Sequence, residues 1–106
     1  LITGVVVART EFIEKYPNTV KKFLEEYKAS TEYANAEVAT AATLVEKFGL
    51  FKAAVAEKAI PKCNITYIAG EEMKTALEEY LNILYNFNPA SVGKQLPAED
   101  FYYVEK

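Results

Sequence analysis

Hydrophobic positions recur along this chain with a helical period over most of its length and run almost continuously at its start. Residues 2–8 are short, β-branched and apolar on both sides: Ile2, Thr3, Gly4, Val5, Val6, Val7 and Ala8. Such a run predicts a strand buried on both faces, of the kind found in parallel or mixed sheets. Thr10 then opens a short helical turn, with Glu11 and Glu14 placed to complement its positive end. Pro17 predicts the first turn of a longer helix. That helix carries Val20, Phe23, Leu24, Tyr27, Thr31 and Ala34 at steps of three and four, which is an amphipathic stripe. A second helix is predicted from about Asn35, with Val38, Ala41, Ala42, Val45 and Phe48 inward and a stop at Gly49.

A weaker helical segment is predicted over residues 51–60, ending before Pro61 because a proline constrains the residue preceding it. Residues 64–69 alternate Ile65, Tyr67 and Ala69 against Thr66 and Ile68, as a short strand or an extended loop would. Gly70 precedes the strongest helical pattern in the chain. Met73, Ala76, Leu77, Tyr80, Leu81, Leu84 and Phe87 fall on one face, and Glu71 and Glu72 suit its N-terminus. The pattern ends near Asn88, before Pro89. The tail, with Gly93, Pro97 and Phe101-Tyr102-Tyr103-Val104, has no period, and Tyr102 and Tyr103 are expected to pack down as an anchor for the terminus. The helices differ in length and punctuation and are not a repeat. The fold class expected is therefore mainly α with one short β-strand.

Composition narrows the function classes. With 106 residues the chain holds one domain at most. The net charge of -3, with acidic and basic residues interleaved, gives no footprint for nucleic acid. There is no His, which removes the commonest general base and the commonest metal ligand. No apolar run approaches the roughly 20 residues that span a bilayer. No signal peptide is visible, and a strand beginning at the first residues leads to the expectation that the chain is part of a longer protein.

Candidate chemistry is sparse. Glu71-Glu72 and Glu78-Glu79 could be acid–base carboxylates, but such work needs a cleft that shifts a pKa, and these pairs fall on the polar face of a helix with lysines nearby. Cys63 has no His to make it a thiolate, so a buried or half-buried structural thiol is expected. Thr3 and Gly4 are the candidate ligand contacts, because glycine lets a backbone approach a ligand closely. No further glycines stand at phosphate-loop spacing, so no nucleotide fingerprint exists. Neither a metal nor an organic cofactor is expected, and no enzymatic activity.

The string Gly4-Val5-Val6-Val7-Ala8-Arg9-Thr10-Glu11-Phe12-Ile13, followed by Tyr16-Pro17 and Val20-Lys21-Lys22-Phe23-Leu24, resembles one region of a known family. These are the nitrate/taurine-type and thiamine-precursor-type solute-binding proteins of ABC-type uptake transporters, and the region is the one that follows the return to the first lobe. Tyr33-Ala34-Asn35, Ala41-Ala42 and Phe48-Gly49 are similar to that family's helical pair. Ile60-Pro61-Lys62-Cys63-Asn64-Ile65, Gly70-Glu71-Glu72-Met73-Lys74 and Pro97-Ala98-Glu99-Asp100-Phe101-Tyr102-Tyr103 are similar to the ends of a subset of its members.

The resemblance spans nearly the whole chain and consists of helical patterns in order, with no ligand motif to carry over. It implies a piece of a two-lobed α/β fold of the type II periplasmic-binding-protein kind, residues 1–106 being the C-terminal part of the first lobe. It implies a substrate-capture role in uptake, with a small solute and a transporter permease as partners, outside the cytoplasm and anchored by lipid. The solute is not legible. Alternatives are a free-standing helical interaction domain, whose N-terminal strand pairs with a partner, and a fragment of a pyrimidine-precursor synthase of the same fold. The isolated chain is expected to bind small molecules no better than millimolar and to form a homodimer through the unpaired Val5, Val6 and Val7.

Overall fold

A computed structural model describes residues 2–105. Five α-helices make up most of it: α1 (Thr10–Lys15), α2 (Pro17–Ala36), α3 (Val38–Lys47), α4 (Ala53–Ala59) and α5 (Gly70–Phe87), with three short 3-10 turns at Ile60–Lys62, Pro89–Val92 and Glu99–Phe101. The helical expectation holds and the strand does not. Residues 2–8 are irregular, and no strand occurs among the described residues. Val5, Val6 and Val7 are 60%, 50% and 82% exposed. The physical reason is pairing: a strand exists only where a neighbour takes its N–H and C=O groups, and no described segment offers one. Residues 64–69 are likewise an extended loop, with Asn64 at a positive φ of 51°.

The chain divides into two compact units, one running Ala8–Tyr67 and the other joining the residues up to Val7 with those from Ile68 onward. In the first unit, Tyr16 ends α1 and Pro17 opens α2, the position where a proline loses nothing by lacking an N–H. The expected boundary near Asn35 lies slightly later. α2 runs through Ala36, and Glu37 (φ -117°, ψ 58°) breaks the path before α3. Neither glycine nor proline marks this break. It is held by long-range bonding instead, since the Asn35 amide donates to the Thr31 carbonyl at 3.1 Å and to the Ile65 carbonyl at 2.8 Å. One side chain thus ties the end of α2 to the loop preceding α5.

The core of this unit is where α3 meets α4. Ala41, Ala42, Ala56 and Ile60 are buried, with Ala34, Val38, Val45 and Ile65 packed around them. Alanine faces let two helices approach closely, and a branched side chain at the edge fills what remains. Ile60 reaches this core from the turn Ile60–Lys62, so helical backbone continues past the end of α4 and into Pro61. The expected stop before Pro61 applies to the α-helix alone. Phe48 was expected inward on α3 and is 72% exposed, because α3 ends at Lys47 and Phe48 is its C-cap residue.

In the second unit, α5 begins at Gly70, whose φ of 65° suits glycine, and runs to Phe87 as expected. Met73, Ala76, Leu77, Tyr80, Leu81 and Leu84 are all partly buried, but none fully, and Phe87 is 90% exposed. The Asn88 side chain caps the next turn by accepting from the Ala90 N–H at 3.1 Å. The Ser91 hydroxyl donates back to the Leu84 carbonyl at 3.2 Å, which folds the chain against the end of α5. Tyr102 is buried and Tyr103 partly so, as expected of a terminal anchor.

Candidate functional site

The two residues singled out as ligand contacts, Thr3 and Gly4, lie exposed in the irregular N-terminal segment. Gly4 has no positive φ, and a Cβ placed there would meet nothing within 4 Å. Neither steric crowding nor backbone conformation calls for glycine at this position.

Cys63 follows the turn Ile60–Lys62 and is exposed, which corrects the expectation of a buried or half-buried thiol. Its place at the end of a turn carries it outward, whereas Ile60, three residues earlier, points into the α3–α4 core. Glu71, Glu72 and Glu79 are exposed and Glu78 is partly buried. Among the described residues no group of three or more His, Cys, Asp or Glu side chains converges in a way that could hold a metal ion.

Among the described residues, electrostatic contacts shape the surfaces of α2 and α5. On α2, Lys22 reaches Glu26 at 3.2 Å and Glu25 at 3.8 Å, the i,i+4 and i,i+3 neighbours on its own surface. The hydrogen bond from Lys22 to Glu26 holds the lysine above its ordinary pKa. A shallow hollow open to solvent lies here, lined by Asn18, Thr19, Lys22, Phe23 and Glu26. Its walls come from one helix face, so it cannot enclose a ligand in the manner of a binding cleft.

On α5, Lys74 is paired and hydrogen-bonded with Glu99 of the tail. That bond holds Lys74 above its ordinary pKa, and burial opposes it. Tyr102 stands nearby, and its phenol is pushed up first by burial and then by the charge of Glu78, with Lys74 acting the other way. The Lys74–Glu99 pair and the buried Tyr102 fasten the tail to α5. The arrangement is a structural clasp: it presents a paired cation and a protonated phenol, neither of which is free to act as a base.

The loop joining α3 to α4 is the best-defined surface feature, and the periodic reading of the sequence missed it. The Gly49 N–H donates to the Glu46 carbonyl at 2.9 Å and the Leu50 N–H to the Val45 carbonyl at 3.1 Å. With Gly49 at a φ of 75°, this is the Schellman ending of a helix. The Glu46 carboxylate then accepts from the Ala53 N–H at 2.6 Å and so caps α4 across the loop. Held at both ends by Glu46, the loop displays Phe48, Leu50 and Phe51, which are 72%, 66% and 68% exposed, between Lys47 and Lys52. The signal in the sequence was the string Lys47-Phe48-Gly49-Leu50-Phe51-Lys52, in which glycine ends the helix before the apolar residues can turn inward.

No helix among the described residues is long and apolar enough to cross a membrane. Comparison with protein-family models, with curated proteins and with solved structures finds no match to this chain.

Proposed function

We propose that this chain is part of the substrate-capture component of an ABC-type uptake transporter, contributing part of one lobe to a two-lobed receptor. The observation that carries the reading is the succession along the chain: an irregular, exposed apolar segment at Val5, Val6 and Val7, the short α1, the proline-opened α2, the alanine-rich α3 and the long α5. It is the order on which the sequence resemblance rests. The exposure of Val5, Val6 and Val7 supports it further, since a β-branched run of this kind is suited to a sheet supplied by other parts of a receptor. In such a receptor solute stabilises the closed form of a hinged clamp, and the role is binding, not catalysis. The location that goes with it is the outer face of the cell membrane, through a lipid anchor.

The test is calorimetry on the product of the complete reading frame and on the 106-residue chain, with nitrate, sulfonates and pyrimidine-like solutes. The complete protein is expected to bind one of these classes at micromolar concentration or tighter, and the chain alone no better than millimolar, because a clamp takes its contacts from both lobes. Tight binding to the chain alone, or a reading frame with no second lobe, would refute the proposal.

A second reading, a free-standing helical interaction domain, is favoured by the number of large apolar side chains left at the surface, among them Phe23, Tyr27, Ile83 and Phe87. Light scattering on the isolated chain separates it from the first. Under the receptor reading, the chain pairs with its own copy through Val5, Val6 and Val7, and the complete receptor is a monomer.

A further inference from the structure

We infer that the α3–α4 loop is a docking tip for an anionic lipid surface. Lys47, Phe48, Leu50, Phe51 and Lys52 form the contact, and Glu46 holds it in shape. Three observations carry this. First, the tip is apolar, with three large side chains each about two-thirds exposed or more, beside a shallow hollow lined by Glu46, Gly49, Leu50, Phe51 and Lys52. Exposed apolar side chains of this size fit a deformable interface, where Phe and Leu enter the boundary between headgroups and acyl chains.

Second, a lysine stands on either side of the apolar residues. Lys47 already lies along its neighbour, with Nζ 5.9 Å from the centre of the Phe48 ring. Long lysine stems can cover apolar surface while their ammonium groups stay among charged headgroups. The Glu46 carboxylate, itself exposed, is engaged by its bond to the Ala53 N–H, and residues 47–52 carry two positive charges and no negative one. The same charges oppose self-association here, because a twofold contact of tip on tip would bring four ammonium groups together.

Third, the loop is preorganised. The Schellman bonds at Gly49 and Leu50 and the Glu46 bond to α4 fix the backbone before any contact is made. Little further ordering is needed on docking, which favours binding by a small contact.

The chain contains no Trp, so Phe51→Trp introduces a single reporter, and Phe87→Trp provides a control at a second exposed site. Each variant is mixed with phosphatidylcholine vesicles, either pure or with about 30% phosphatidylserine. The expected result is a blue-shifted emission, quenched from within the acyl region, for Phe51→Trp on the anionic vesicles only. Added salt should reverse it. Converting both Lys47 and Lys52 to Gln should weaken vesicle binding about 30-fold, at about fivefold per lysine on an anionic surface. Replacing Leu50 and Phe51 with Ser should abolish binding, with helical circular dichroism unchanged. An unshifted reporter, an equal shift at both sites, or equal partition into neutral vesicles overturns the inference. So does saturation of the tip by a folded protein partner without any lipid binding.

Discussion

The α3–α4 pair and α5 make opposite use of their sequences. α5 has the longest apolar stripe and the cleanest spacing in the chain, yet none of its residues is fully buried. α3 is little more than half as long, and two of its residues, Ala41 and Ala42, lie at the centre of the principal core. Periodicity says which face of a helix is apolar. What the face meets depends on how closely another element can approach, and small side chains decide that. Alanines at 41, 42 and 56 let α3 and α4 come together, whereas the broader side chains of α5 are only partly covered, by partners that include the tail carrying Ser91 and Tyr102.

This contrast is most sharply tested at Ile60. Truncation to Ala removes the one large buried side chain of the α3–α4 core and should cost about 3 kcal/mol, read as faster amide exchange throughout α3 and α4. Exchange unchanged in α3 would mean that the alanine contacts hold the pair unaided. Enlarging Ala42, which is 1% exposed, to Leu should cost about 2 kcal/mol by overpacking, measured as a shift of the urea midpoint. If the variant is as stable as the parent, close approach is not what fixes this core.

The clasp on α5 should respond to alkali. The folded pKa of Lys74 is raised by its hydrogen bond to Glu99, and that of Tyr102 by burial. For both groups the folded state holds its proton more tightly than the unfolded chain does. Their contribution is therefore complete below the unfolded values of 10.0 for Tyr and 10.5 for Lys, and is lost as pH rises through the higher folded values. Tail amides should lose protection in this alkaline range while those of α3 and α4 keep theirs. In Glu99→Gln, with Tyr102 still present, the loss should begin at lower pH; an identical profile would remove the ion pair from the account. The smallest effect is expected at Phe87, which sits on the apolar stripe of α5 but is 90% exposed. Phe87→Ser should change stability by no more than about 0.5 kcal/mol in thermal melts. A larger loss would show that the stripe, and not the observed exposure, reports what this residue does.

Most of the helical frame was legible in the residues. Pro17 at a helix start, Gly49 at a helix end, Gly70 before the acidic pair Glu71-Glu72, and Pro89 after the last turn of α5 all act through local backbone conformation. Local signals of this kind need no knowledge of what is nearby in space. The anchoring of the tail by Tyr102 was also legible, because a tyrosine outside any helical period has no reason to face outward on a regular element.

Other features depended on contacts that only the folded chain provides. Residues 2–8 have the composition of a strand, but strands are made by neighbours, and none is present among the described residues. The break at Glu37 has no glycine or proline to announce it and is stabilised by Asn35 bonding to Ile65, thirty residues away. Phe48 and Cys63 were assigned inward on period and polarity, and both lie outward because a helix or a turn ends at them. The first two cases share a reason, whereas the last two turn on a local stop that the periodic pattern does not register. Local sequence determines where a helix can start, stop and carry an apolar face, while burial and strand pairing are properties of two segments at once and are decided only when the tertiary structure brings the second segment into place.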